Sequence, residues 1–123
     1  MTSPNIVAIG TVIGLTTVAA DVGTSEVVLL DSGTGVNHVF KVNNIIAANT
    51  TATSANLTVS WRATSGGGGT RYKMANATPV AAYSTLVVLD KASAIYLEEN
   101  KSLTVESSAA TSFDVVCSYE KLQ

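Results

Sequence analysis

Ser84-Thr85-Leu86-Val87-Val88-Leu89-Asp90-Lys91, then Ile95-Tyr96-Leu97-Glu98-Glu99-Asn100, Ser102-Leu103-Thr104-Val105 and Phe113-Asp114-Val115-Val116-Cys117-Ser118-Tyr119-Glu120 decide the fold. Short runs of β-branched, aliphatic and aromatic residues follow one another quickly. Polar breaks separate them: Lys-Ala-Ser, Glu-Asn-Lys and Ala-Ala-Thr-Ser. Such runs suit a pleated, half-buried surface, and the breaks suit tight turns.

The same reading extends upstream. No stretch keeps a 3.6-residue apolar period for three turns, whereas alternation recurs throughout. Residues 36–46 place Val36, His38, Phe40 and Val42 on one face, with Asn37, Lys41 and Asn43 on the other. Residues 56–64 send Leu57, Val59, Trp61 and Ala63 inward and Thr58, Ser60 and Arg62 outward, so Trp61 reads as core. A first long strand has Val7, Ile9, Ile13 and Leu15 on one side. Ala8, Gly10, Val12 and Gly14 lie on the other, where small residues admit another backbone. Residues 26–30 form a short strand, and Asp31-Ser32-Gly33-Thr34-Gly35 carries the residues of a hairpin loop. Residues 47–55 read as a loop. Asn76-Ala77-Thr78-Pro79 reads as a break, because Pro79 has no ladder donor. Gly66, Gly67, Gly68 and Gly69 read as a flexible hairpin tip. The expectation is a single all-β domain over residues 1–123, an antiparallel sandwich of about eight strands, jelly-roll-like or immunoglobulin-like, with almost no helix.

Composition narrows the function. Only 13% of residues are charged and 46% are apolar, against about 25% charged in an ordinary domain. Disorder requires the opposite balance. Thr, Ser, Ala and Val fill the difference, a character commoner in shells and fibres than in free enzymes. The net charge is −2, with Lys and Arg scattered, so no basic stripe meets nucleic acid. The uncharged run from Ile6 to Ala20 is broken by Gly10, Thr11, Gly14, Thr16 and Thr17 and is too short for a membrane span. Met1-Thr2-Ser3-Pro4-Asn5 has no positive charge of the secretory kind, so the expectation is synthesis and folding in a cytoplasm.

Chemistry-bearing residues do not assemble into a constellation. His38 is the lone histidine and Cys117 the lone cysteine, too few for a metal site or a disulfide. Cys117 alternates with Phe113, Val115 and Tyr119 and reads as a small buried hydrophobe. Glu98 and Glu99 are adjacent and diverge on a strand, so they read as a hairpin turn. Asp21 and Asp31 read as caps of turn amides. The glycine run lacks the strand-to-helix context of a phosphate cradle. Asn49-Thr50-Thr51, Asn56-Leu57-Thr58, Asn76-Ala77-Thr78 and Asn100-Lys101-Ser102 match the glycosylation pattern as products of composition. The reading is a non-enzyme with no cofactor and no catalytic or metal-ligating residue.

The C-terminal third, with STLVVLDK at 84–91, IYLEEN at 95–100, SLTVESSAA at 102–110 and DVVCSYE at 114–120, resembles small virion structural proteins of tailed bacteriophages, those of cyanobacterial phages above all. The resemblance implies a structural role in the particle, made in the host bacterial cytoplasm and located in the virion. Within the particle the leading expectation is a capsid decoration or cement protein on the head shell. The alternative is a neck or tail accessory or completion protein, or else a carbohydrate-binding attachment module. Implied partners are the major capsid protein or other virion proteins and sister copies in a homo-oligomer, with no nucleic acid and no membrane. An N-terminal segment of about residues 1–20 is expected to serve assembly, through an edge bearing Ile6, Ala8, Gly10, Val12 and Gly14 that lacks protective charge. Exposed Tyr72 and Tyr83 are expected to add contacts.

Overall fold

The computed structural model describes residues 4–123; the part of the expected assembly segment at 1–3 lies outside them. Among the described residues, nine strands form two antiparallel sheets: β1 (Val12–Val22), β2 (Val27–Asp31), β3 (Val39–Asn49), β4 (Ala55–Thr64), β5 (Gly68–Val80), β6 (Thr85–Leu89), β7 (Ile95–Leu97), β8 (Ser102–Ser107) and β9 (Phe113–Leu122). Three single 3-10 turns, Ile6–Ala8, Ser65–Gly67 and Lys91–Ser93, supply the helical geometry among the described residues.

One sheet, A, runs β1-β9-β3-β6, with β7 continuing the line of β6 against β3; the other, B, runs β2-β8-β4-β5. The pairs nest as β1 with β9, β2 with β8, β3 with β6 and β7, and β4 with β5. The chain is thus one long hairpin, its apex at the glycine run, rolled so that successive pairs enter alternate sheets. That is the jelly-roll arrangement, and it excludes the immunoglobulin-like order.

The core lies between the sheets. Phe113, Val115 and Cys117 of β9, Val42, Ile45 and Ala47 of β3, Leu57 and Val59 of β4, and Leu103 and Val105 of β8 are fully enclosed. They are the inward set of each strand's alternation.

Several expectations need correction. The first strand begins at Val12 rather than near Ile6, because Ile6–Ala8 is a 3-10 turn capped by the Asn5 side chain accepting from the Val7 amide. Residues 31–35 and 98–101 cross between sheets and are not hairpins within one. Residues 47–49 belong to β3, which holds Asn49 through its ladder with Phe113. Pairing also continues through 76–79, since Pro79 sits opposite Asn56 on an edge strand, where a missing donor faces outward. A bulge nearby turns the Ala77 amide onto Thr58 Oγ1 at 3.0 Å.

The glycine apex is not loose. Gly66, Gly67 and Gly69 have φ of 70°, 76° and 72°, the left-handed region that glycine adopts freely. The loop folds back on the sandwich end: the Gly66 amide donates to Asp31 Oδ2 at 2.9 Å, Gly67 to Ser102 Oγ at 3.0 Å and Ser65 to Asn100 Oδ1 at 3.1 Å. Asp31 Oδ1 also caps the Gly33 amide at 2.9 Å, as expected of a turn aspartate. Asp21 differs: its own amide donates to Asp114 Oδ1 at 3.0 Å.

Candidate assembly surface

The two sheets differ in the dominant feature of their outer faces. On the outside of sheet B, Glu26 accepts from Arg62 and Thr104 and lies 3.6 Å from Arg71 Nε. Arg71 in turn reaches Glu106 at 2.7 Å and Ser60 at 2.7 Å. These residues come from the approach to β2 and from β8, β4 and β5, so a charged network ties the whole sheet across its strands. The Arg62 guanidinium holds the Glu26 carboxyl below its ordinary range, against the opposing pull of burial.

Sheet A carries an apolar row instead. Val18 faces Val116, Val116 faces Ile46 and Ile46 faces Val87, directly opposite in register. Residues opposite one another across antiparallel strands share a face. Val18 is 58% and Val87 56% exposed. No charge interrupts that row.

The edges differ as well. A sheet edge offers unpaired amides and carbonyls to any passing strand, and natural edges are blunted by charge, proline, bulges or shortness. Edge β5 carries Arg71, Lys73, Pro79 and three register shifts. Edge β2 is five residues long with a bulge. The β6–β7 edge is interrupted by the Lys91–Ser93 turn, which Asp90 caps. Edge β1 has none of these before its bulge beyond Ala19, and no charged residue before Asp21. Val12, Ile13, Leu15 and Val18 on it are all exposed.

The expected interface residues therefore separate. Val12 and Gly14 lie on the open edge strand, and a Cβ added at Gly14 would meet nothing within 4 Å. Ile6 and Ala8 lie in the preceding turn, and Gly10 is tied to the chain end by its amide on the Gln123 carbonyl at 3.0 Å. Tyr83 is 73% exposed in the turn after β5, with φ of 54° and its amide on the Thr51 carbonyl at 3.1 Å.

Tyr72 belongs to a different feature. A groove of about 490 Å³ opens at the mouth of the sandwich between β5 and β7, lined by Trp61, Tyr72, Lys73, Met74, Ile95 and Tyr96. It exists because β7 is only three residues long and leaves the inner face of β4 and β5 uncovered there. Trp61 is thus corrected: one side packs on the core, while the other lines the groove, 5.7 Å from the Tyr72 ring and under Lys101 Nζ at 5.8 Å.

His38 stacks on Phe40 at 4.6 Å, and burial, aided by Lys121, lowers its pKa. Cys117 is fully buried and its thiol is pushed up to about 12 by desolvation. Glu99 Oε2 accepts from the Gly35 amide at 2.7 Å, fastening the crossing between sheets. Among the described residues, no group of three His, Cys, Asp or Glu side chains is placed to hold a metal ion.

No protein-family model and no curated protein matches the chain. Sequence reasoning missed the Val18–Val116–Ile46–Val87 row, whose members are separated by up to 98 positions (116 − 18). No local signal could have found it.

Proposed function

We propose that the chain is a non-enzymatic structural subunit of a tailed-phage particle, repeated in many copies. The reading places it in the virion, most directly as a decoration or cement protein bound to the major capsid protein on the head. A neck or tail accessory position is the alternative. The jelly roll serves shells and lectins alike, so topology does not choose between roles; the surface must. The observation that carries the reading is the asymmetry of that surface. Three of four sheet edges are blunted while β1 is open and uncharged, and the adjoining outer face carries an uninterrupted apolar row where the opposite face is tied by salt bridges. The resemblance of residues 84–120 to small phage virion proteins supports the same reading. The test is the protein content of purified particles together with a low-resolution map. The expected result is many copies at regular positions on the head; absence of the chain from particles overturns the reading.

A second reading has its own observation. Trp61, Tyr72 and Tyr96 line one groove, and aromatic faces of that kind receive sugar rings in attachment modules. Trp61 is the sole tryptophan, so its emission reports the groove directly. A saturable change in emission with a host-derived glycan favours attachment; no change across a glycan panel removes it.

A further inference from the structure

The open edge has a register written into it. Thr11 and Gln123 exchange both backbone bonds, the Thr11 amide to the Gln123 carbonyl at 2.9 Å and the reverse at 3.0 Å. In an antiparallel ladder such bonded pairs recur at every second residue. Ile13, Leu15, Thr17 and Ala19, opposite Lys121, Tyr119, Cys117 and Val115, therefore turn their amides and carbonyls toward β9. Val12, Gly14, Thr16 and Val18 turn theirs toward the open edge. That edge is one-half of a ladder.

We infer that β1 pairs with β1 of a second copy of this chain, antiparallel, about a two-fold axis at Leu15. The alternation leaves few registers that match free groups to free groups, and this one uses all four outward residues. Val12 meets Val18 of the second copy and Gly14 meets its Thr16, and the axis repeats both pairs. Four bonded pairs form, about eight inter-chain hydrogen bonds. The side chains agree with the backbone. Val12 at 57% exposure meets Val18 at 58% on the outer face, while Leu15 meets Leu15 and Ile13 meets Thr17 on the inner face. Ile13 and Leu15 are 39% and 38% exposed although they lie on the inward side of the β1 alternation, so apolar surface there is left without full cover. A two-fold mate supplies that cover. No like charges oppose one another anywhere along the pairing, since residues 11–20 carry none. The interface is self-complementary, as a two-fold contact must be, and it joins two β1-β9-β3-β6 sheets into one. The apolar row of each copy then continues toward the other.

This pairing rests on the reading of the chain as a repeated structural subunit, but its test is separate from particle incorporation. Sedimentation of the full chain should give a dimer. Thr16→Pro removes an outward amide and no bond to β9, and Val18→Lys puts a charge on the edge. Both should give monomers with an unchanged far-ultraviolet spectrum. Leu15→Cys should form an inter-chain disulfide in high yield under mild oxidation, because the non-bonded pair on the axis brings its Cβ atoms within about 5 Å. Val87→Cys, at the far side of the sheet, should not. A wild-type chain that stays monomeric up to about 1 mM overturns the pairing, as does a dimer that survives both edge variants. A dimer lost in both variants but cross-linked only through Ile13→Cys or Thr17→Cys overturns the Leu15 axis. A monomer that loads normally onto particles overturns the pairing and leaves the structural role standing, with capsid rather than a sister copy on the edge.

Discussion

Trp61→Ala should cost less stability than Phe113→Ala, although it removes the larger ring. Phe113 is 0% exposed, enclosed between β1, β3 and the opposite sheet, so its loss leaves a closed cavity. Both the transfer and the cavity contributions then apply, about 3–5 kcal/mol together. Trp61 lies at the groove mouth. Its removal opens the groove further to water and leaves no empty volume, so only the transfer contribution remains. With about 100 Å² of apolar surface lost at about 25 cal/mol per Å², that is about 2.5 kcal/mol. In melting temperature, Phe113→Ala should fall by roughly 10–20 °C and Trp61→Ala by roughly half as much. Equilibrium denaturation must be followed by circular dichroism, because Trp61→Ala removes the sole tryptophan. A Trp61→Ala loss equal to or greater than that of Phe113→Ala would show the groove to be closed in solution and refute the reasoning.

Stability should decline with acid in two windows. The His38 pKa is lowered in the fold, so its contribution is complete above the unfolded value near 6.5 and shrinks as pH falls below it. The Glu26 pKa is lowered too, so its contribution is present above the unfolded carboxylate value and is lost as pH falls through the folded one. Melting scans should show His38→Gln flattening the upper window and Glu26→Gln the lower; unchanged profiles would refute both assignments. Cys117, with its thiol pushed up to about 12, should resist a thiol reagent in the native state and react stoichiometrically once unfolded. Rapid native labelling would contradict its enclosure. Asp31→Ala should cost about 1 kcal/mol and speed hydrogen exchange at the Gly33 and Gly66 amides above all others. Uniform exchange would mean the apex is not pinned there.

Much of the fold was legible because strand periodicity is local. Alternation in residues 56–64 and 113–120 marks β4 and β9 and their buried faces, Cys117 included, since a period of two needs only neighbours along the chain. Turn residues likewise marked Asp31 as a cap and the glycines as an apex. Errors fell where a distant partner overrides local preference. Asn76–Pro79 reads as a break until β4 lies beside it on one side only. Residues 31–35 and 98–101 carry the residues of hairpins, yet they join strands of different sheets. The glycine run is chemically the loosest stretch of the chain, and Asp31, Asn100 and Ser102 hold it through hydrogen bonds that each span 35 positions.

The sequence by itself determined an all-β chain, the inward half of most strands, and an uncharged first strand unsuited to a free edge. Only tertiary structure decided which strands are edges, since edge status depends on pairing across the whole chain and not on any segment. It also decided that Val18, Val116, Ile46 and Val87 form one row, and that Trp61 borders a groove because a strand of the opposite sheet stops three residues long. Side-chain alternation is encoded residue by residue, whereas surfaces are made by strands that meet only when the long hairpin rolls up.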